Sequence, residues 1–320
     1  MVRVSVVICT HTTDRFADLV EAARSVQSGT HSDLELVLVS DGSDAVAELM
    51  SQEFREAIAA DKCLIEHLEQ NCGLLAARNR GAAAANGDIV AFLDDDAIAE
   101  DQWLERLVEP YQTRNRRAVG GRVTPAWIAS DGEPEFLPEE FYWLVGATHR
   151  GFGPGGGFDG AVTEGEVRNT NGSNLSFETA TFSGIGGFDT DIVGRKQDNH
   201  LLGGETELCA RFASEYDSGV WYVPPARVAH KVFDYRTRLA WLLSRAFWQG
   251  YSKRVMSRIT TEPQREEQSF LSDLLRRFLP HRFITLLRAR SPDQLLKLSF
   301  ILLATGAVAL GYLYALILRR

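Results

Sequence analysis

The apolar residues of this chain alternate between two patterns over its first hundred positions. Residues 4–9, 34–39 and 63–68 are short runs dominated by Val, Ile and Leu, which predict buried β-strands. Between these runs, apolar residues recur every three or four positions from 14 to 29 and from 45 to 60, as expected for helices that cover a sheet. The alternation predicts an α/β fold with a mostly parallel central sheet.

A fourth apolar run in the same half of the chain ends in three consecutive aspartates. Residues 89–93 are entirely apolar, which predicts a central strand buried on both faces, and Asp94, Asp95 and Asp96 follow it directly. Adjacent carboxylates repel one another, and they are stabilised when Mg²⁺ or Mn²⁺ lies between them. In an open α/β sheet, ligands bind at the carboxyl ends of the strands. The alternative is a solvated acidic turn that caps the next helix.

A second motif lies one helix before this acidic loop. Gly73, Ala77, Arg78, Asn79 and Gly81 occupy the pattern Gly-x-x-x-Ala-Arg-Asn-x-Gly. Together with the Asp-x-Asp element after the apolar strand, this pattern resembles the nucleotide-sugar glycosyltransferases of family 2, which are inverting enzymes with the GT-A fold. A dinucleotide-binding fingerprint is not found after the first strand, where residues 11–15 lack the required glycines.

The resemblance implies a role for individual residues. Asp41 would accept a hydrogen bond from a uracil-like ring, Asp94 would contact the ribose and Asp96 would bind the metal ion, with His230 as a second candidate ligand. For Asp41 the alternative is a turn with Gly42, and for His230 it is a buried core histidine. The residues that the resemblance places beside the donor nucleotide are Thr10, His11, Arg15, Asp41, Arg78, Asn79, Asp94 and Asp95.

The catalytic base is assigned by the same resemblance. The family has two successive acidic residues, any residue, and then an acidic residue and Leu, where this chain has Gly204, Glu205, Thr206, Glu207 and Leu208. Glu205 therefore stands at the position of the base, although the first acidic residue of the pattern is replaced by Gly204. The alternative is that Glu205 and Glu207 only favour the start of a helix.

The region between the acidic loop and the Glu205 motif differs in composition from the preceding residues. Residues 128–166 are rich in Gly, Pro and aromatic residues, and such a long loop in a compact domain is often functional. We expect it to be a lid over the donor sugar and the acceptor. After it, residues 169–177 and two short runs at 220–223 and 228–230 predict further strands.

The apolar and basic residues near the C-terminus predict that the chain is attached to a membrane. Residues 298–318 carry no charge, and a helix of this length extends about 31 Å, which matches the hydrocarbon core of a bilayer. Before it, residues 270–279 form an apolar helical face among arginines, which is typical of a segment lying on an anionic leaflet. The basic excess precedes the span, so we expect a single-pass protein with its catalytic domain in the cytoplasm. A buried core helix is the alternative. The arginines of this region are Arg276, Arg277, Arg282, Arg288 and Arg290.

Composition narrows the choice of partners. A net charge of −9 and a pI near 5.4 argue against nucleic-acid binding. Only five of the 34 basic residues are Lys, which is typical of salt-adapted proteins. The four cysteines lack the spacing of a zinc site and are expected to be free thiols, and the first residues do not resemble a signal peptide.

The layout resembles haloarchaeal family 2 enzymes that build lipid-linked glycans for protein N-glycosylation. This implies a UDP-sugar donor, a hexuronic acid as the transferred sugar, and a polyprenyl (dolichyl) phosphate-linked acceptor. We expect a glycosyltransferase domain at residues 1–235, an amphipathic segment at 236–294 and a transmembrane helix at 295–320. Two alternatives stay open, namely a synthase whose acceptor is the dolichyl phosphate itself and a non-catalytic nucleotide-sugar-binding protein.

Overall fold

The computed structural model describes residues 2–154, 156, 162–192, 201–259, 270–289 and 292–318. The strands are β1 (Val4–Thr10), β2 (Leu34–Asp41), β3 (Cys63–Leu68), β4 (Ile89–Asp94), β5 (Ala97–Ala99), β6 (Ala118–Trp127), β7 (Gly165–Val167), β8 (Leu175–Glu178) and β9 (Val220–Val232). The helices are α1 (Phe16–Gln27), α2 (Asp44–Glu53), α3 (Arg55–Ala59), α4 (Leu74–Ala84), α5 (Trp103–Thr113), α6 (Thr179–Gly184), α7 (Gly204–Tyr216), α8 (Asp234–Thr237), α9 (Leu239–Ile259), α10 (Leu279–Ala289) and α11 (Pro292–Ile317).

These strands form one mixed sheet in the order β3-β2-β1-β4-β8-β6-β9-β5, with β7 paired to β9. The four strands at one side, β3, β2, β1 and β4, are parallel to one another. Antiparallel pairing begins where β8 joins β4 and continues where β8 meets β6 and β9 meets β5 and β7. The predicted α/β fold with parallel central strands is confirmed.

The central strand β1 is buried along its whole length because helices cover both faces of the sheet. Val6 and Ile8 point into an apolar cluster that includes Leu19 of α1 and Trp103 of α5. On the opposite face, Val7 belongs to a cluster with residues of α4, α6 and α7. The period of two along β1 therefore divides its side chains between two cores, which fixes the register of the strand.

Some element boundaries differ from the sequence-based expectation. The helix expected at 45–60 is interrupted at Phe54, whose buried side chain packs in the core while its backbone leaves helical geometry. The two strands expected at 220–223 and 228–230 are one strand, β9. It continues through Pro224 and Pro225 because the fixed φ of proline is compatible with extended backbone.

The chain divides into two compact units, which we call the sheet unit (residues 1–124, 164–196 and 204–230) and the helical unit (125–163, 197–203 and 231–320). The three-part domain division expected from the sequence stays a prediction. In the helical unit, a 3₁₀ helix, Glu139–Val145, occupies part of the expected lid. Residues 155 and 157–161 of that lid lie outside the described residues, and the lid also stays a prediction.

The amphipathic segment of the helical unit is only partly exposed. Leu274 and Phe278 are buried in an apolar cluster, whereas Leu271 and Leu275 face outward. The expected apolar face at 270–279 is thus divided, because a π-helical turn at Leu274–Phe278 changes which residues share a side. Arg290 lies outside the described residues.

The C-terminal helix α11 begins earlier than expected, at Pro292, and is long and apolar enough to cross a membrane. Phe300, Ile301 and Ala304 on it are nevertheless buried, and they belong to the same apolar cluster as Leu274 and Phe278. One side of α11 is therefore part of the core of the helical unit.

The side chain of Asn174 connects α5, β6 and β9 in the sheet unit. Its replacement tests how much these buried hydrogen bonds stabilise the fold. Its amide donates to the carbonyls of Arg122 and Ala226 at 3.0 and 2.9 Å, and its Oδ1 accepts from the indole of Trp103 at 2.8 Å. We expect Asn174→Ala to lower the free energy of unfolding by about 2–4 kcal/mol, because buried polar groups lose their partners. Urea unfolding of purified protein measures this, with Gln52→Ala on α2 as an exposed control.

Candidate active site

The residues expected at the nucleotide lie at neighbouring strand ends. In the sheet β1 is between β2 and β4, with Thr10 opposite Ser40 and Cys9 opposite Asp94. Asp41 and Thr10 are buried and His11 is exposed just beyond β1. The parallel arrangement thus brings together side chains that are far apart in the sequence.

A group of possible metal ligands lies at the same edge. One ligand atom from each of Asp94, Asp96 and His230 can be chosen so that all three lie within 4.8 Å of one another. His230 arrives there because β5 pairs with β9 and places Ala97 opposite it, and its Nε2 is 3.1 Å from Asp96 Oδ1. The other oxygen of Asp96 is 3.7 Å from the Arg15 guanidinium.

The chemistry of this group fits a divalent cation. Two carboxylates and an imidazole suit Mn²⁺, and carboxylate oxygens also suit Mg²⁺. Burial, together with the nearby Asp96 and Asp94 carboxylates, raises the pKa of Asp95 to about 7. A cation at this position would add to the positive charge of Arg15 and Arg78 and favour the ionised form of all three aspartates.

Arg78 joins the acidic loop to the predicted base. Its guanidinium donates to Asp94 Oδ1 at 2.6 Å and to Glu205 Oε1 at 2.9 Å. Only 2% of Arg78 is exposed, and its charge lies 5.9 and 5.6 Å from the ring centroids of Phe92 and Phe188. Burial alone lowers the pKa of the guanidinium, but the Asp94 and Glu205 carboxylates outweigh burial and raise it. Arg78 is therefore a buried, paired charge and not a solvated one.

Gly172 allows this contact, and the sequence analysis missed it. A methyl group added at Gly172 would overlap Glu205 Oε1 and the Arg78 guanidinium. The turn that carries it is held by Asn171, whose side chain accepts from the backbone N–H of Ser173 at 2.9 Å. The motif Asn-Gly-Ser-Asn was visible in the sequence, but nothing in it indicates which side chains approach the glycine.

Two expected nucleotide-binding residues have structural partners. Both oxygens of Asp41 accept backbone N–H groups, from Cys72 at 2.6 Å and from Gly73 at 2.9 Å, and so hold the start of α4. The amide of Asn79 donates to the carbonyl of Phe188 and accepts its N–H, both at 2.8 Å. Contacts of these two residues with a nucleotide stay predictions.

Glu207, two positions after Glu205, has a different environment. It is buried and forms an ion pair with Arg211, which also donates to the backbone carbonyls of Ile185 and Gly187. These bonds hold the turn at residues 184–189, which we call the glycine turn, against α7. Glu205 and Glu207 therefore lie on one helix but contact different parts of the sheet unit.

Comparison with known proteins identifies the class. A family model described as Glycosyl transferase family 2 matches residues 5–136. A relative of 40% identity aligns over 98% of this chain and 96% of its own length. The chain belongs to glycosyltransferase family 2, and its fold is GT-A-like.

That relative is the glucosyl-dolichyl phosphate glucuronosyltransferase of Haloferax volcanii. Among solved structures, the mannosyltransferase PcManGT from Pyrobaculum calidifontis, in complex with GDP-Man and Mn²⁺, has a TM-score of 0.61 at 16% identity and covers 98% of this chain and 87% of its own. GalNAc-T7 with UDP, GalNAc and Mn²⁺ has a TM-score of 0.56 at 17% identity. That match covers 85% of this chain and 54% of the other.

Substitution of Gly172 tests whether the Arg78–Glu205 contact matters for the transferase. We expect Gly172→Ala to lower turnover by about 10²-fold if Glu205 is the base, because the added methyl displaces its carboxylate, and small displacements of a reacting group have effects of this size. Gly184→Ala is the matched control, since the nearest atom to a methyl there, Tyr216 Oη, is 3.7 Å away. Turnover is measured by steady-state kinetics, after a check that the two variants have the same melting temperature. Equal turnover of the two variants would contradict the expectation.

Proposed function

We propose that this chain transfers glucuronic acid from UDP-glucuronate to glucosyl-dolichyl phosphate, with inversion at the anomeric carbon. The proposed sugar transfer is supported mainly by one observation. A possible metal site at the end of β4 is connected through Arg78 to the carboxylate of Glu205. The choice of donor and acceptor is supported by the Haloferax volcanii relative, which is similar over nearly the whole of both chains.

The donor is proposed to bind at the ends of β1, β2 and β4. Thr10, His11, Arg15 and Asp41 lie there, and the acidic loop follows β4. Asp96 and His230, with Asp94 in reach, would hold Mn²⁺ or Mg²⁺, and the ion would neutralise charge on the departing diphosphate.

Glu205 is the proposed general base. The acceptor hydroxyl is a weak nucleophile, and a carboxylate can remove its proton while the new bond forms. Arg78 orients this carboxylate, and Gly172 leaves space for the pair. In-line attack opposite the diphosphate would convert the α linkage of the donor to a β linkage in the product, without a covalent intermediate.

The acceptor is carried by a lipid, and the C-terminal part offers an attachment to the bilayer that contains it. The helix α11 is long and apolar enough to span a membrane. We place the enzyme at the cytoplasmic face, since the arginines that precede the apolar stretch are attracted to the anionic lipids of the cytoplasmic leaflet.

Removing one metal ligand tests the dependence on an ion. We expect Asp96→Ala to abolish measurable transfer and to weaken Mn²⁺ binding, because the site loses a buried carboxylate. Mn²⁺ binding followed by calorimetry separates this loss from a general defect. The control is Asp101→Asn, an exposed carboxylate beyond the loop. Full activity of the unmodified enzyme in excess EDTA would refute the ion dependence.

The base is tested by Glu205→Gln. Losing a general base typically costs about 10²–10⁴ in rate, so we expect a fall in turnover of this order with UDP binding nearly unchanged. Glu215→Gln is the matched control, because Glu215 is exposed on the same helix. Glu207→Gln is a poor control, since it removes a buried partner of Arg211 and is expected to reduce stability.

The Glu205→Gln variant also tests the alternative that the chain is a dolichyl-phosphate sugar synthase. A dolichyl-phosphate sugar synthase uses a phosphate as the attacking group, which needs no strong base. Transfer to dolichyl phosphate that is unaffected by Glu205→Gln would favour the synthase. A product with an α linkage, determined by NMR, would instead contradict the proposed inversion.

A further inference from the structure

Two helices of the helical unit, α9 and α11, meet backbone against backbone. A methyl group at Gly250 of α9 would overlap the Val308 carbonyl, and a methyl group at Gly311 of α11 would overlap the Phe247 carbonyl. The ring of Tyr314 lies beside this crossing, with its centroid 5.6 Å from that of Phe247. Two helix backbones can approach this closely only where each helix has glycine at the contact, here Gly250 and Gly311.

The crossing lies at the middle of the apolar stretch. Residues 298–318 of the chain carry no charge, and Val308 is at their centre. If α11 crossed a bilayer, Val308 would lie near the midplane, and Gly250 of α9 would lie beside it. The position of α9 in a membrane is thus determined by the position of α11.

Helix α9 is poorly suited to that position. Arg245, Lys253 and Arg254 are within five residues of Gly250, and the helix contains no acidic residue. Five residues of helix extend about 7.5 Å, whereas the hydrocarbon core extends about 15 Å on each side of the midplane. The Arg254 guanidinium is 6.0 Å from the ring centroid of Tyr312, which confirms that a charge accompanies the apolar helix. Charged side chains at this depth are strongly unfavourable.

The opposite side of α11 is suited to lipid. The exposed apolar residues on this side include Leu302, Leu303, Leu310, Leu313, Leu316 and Ile317. The helical unit also exposes Phe283, Ile284 and Leu287 on α10, with Arg288 exposed next to them. Apolar side chains close to arginines match the acyl chains and anionic headgroups of one leaflet.

We propose that α11 does not cross the bilayer but lies in the plane of one leaflet, paired with α9, with its exposed apolar side among the acyl chains. The inference rests on the membrane location proposed above and replaces the single-pass arrangement expected from the sequence. The C-terminus then remains on the same side of the membrane as the rest of the chain.

Protease protection of a terminal epitope tests this arrangement. Full-length chain with an epitope at the C-terminus is prepared in sealed vesicles whose cytoplasmic face is outside, and protease is added without detergent. We expect loss of the C-terminal epitope at the rate found for an N-terminal epitope in a parallel preparation. Protection of the C-terminal epitope until detergent is added would overturn the proposal. This measurement does not use activity, so it can fail while the proposed transferase function stands.

A pair of leucine substitutions tests the cause. Gly311→Leu separates the helices, and we expect the released α11 to insert, which makes the C-terminal epitope protected. Gly306→Leu adds the same side chain to the same helix where a methyl meets nothing within 4 Å, and we expect the epitope to stay sensitive. If Gly311→Leu also leaves it sensitive, pairing with α9 is not what keeps α11 in the leaflet, and the proposal fails.

Flotation of the vesicles in high salt tests the occupant of the apolar surface. We expect the chain to float with the lipid, since acyl chains rather than charges hold it. Chain that stays at the bottom of the gradient as an oligomer would show that a second copy covers the surface, and would also overturn the proposal.

Discussion

The buried guanidinium of Arg78 is the interaction on which the site depends. A charge with 2% exposure is stable only when opposite charges neutralise it, and Asp94 and Glu205 supply them from two distant parts of the chain. Arg78 therefore needs both carboxylates, whereas Asp94 and Glu205 are partly exposed. The same contact requires Gly172, because any side chain there would occupy the space of the ion pair. The residue predicted to be the base thus also helps to hold Arg78 in place.

Two other residues of the motifs, Asp41 and Asn79, also stabilise loops. Asp41 accepts the backbone N–H groups that begin α4, and Asn79 binds both backbone groups of Phe188. A motif shared across a family can thus preserve loop geometry as well as nucleotide contacts. Arg78 lies on α4. Asp41 at the end of β2 holds the start of this helix, and the glycine turn holds its middle through Asn79. The direction of the Arg78 side chain is therefore fixed before any substrate binds.

The sequence predicted a mostly parallel central sheet and the strand end at which the acidic residues lie, because strand periodicity and polar strand ends are local signals. The spacing of residues alone does not place His230 beside Asp96, since this depends on the pairing of β5 with β9, and only the family resemblance offered His230 as a second ligand. Nor did the sequence predict the role of Gly172, because it does not indicate which side chains approach a glycine. The break at Phe54 was missed for a related reason, as burial of one aromatic ring outweighed the helical propensity of its neighbours.

The C-terminal helix shows why length and hydropathy alone do not determine membrane topology. Phe300, Ile301 and Ala304 are buried in the core of the helical unit, so α11 is a structural element as well as an apolar one. An Arg or Lys at the centre of a spanning helix costs about 2.5–3.5 kcal/mol, and α9 has Arg245, Lys253 and Arg254 near its crossing with α11. The hydropathy of α11 does not include these charges. They favour the proposed position of α11 in one leaflet over a span.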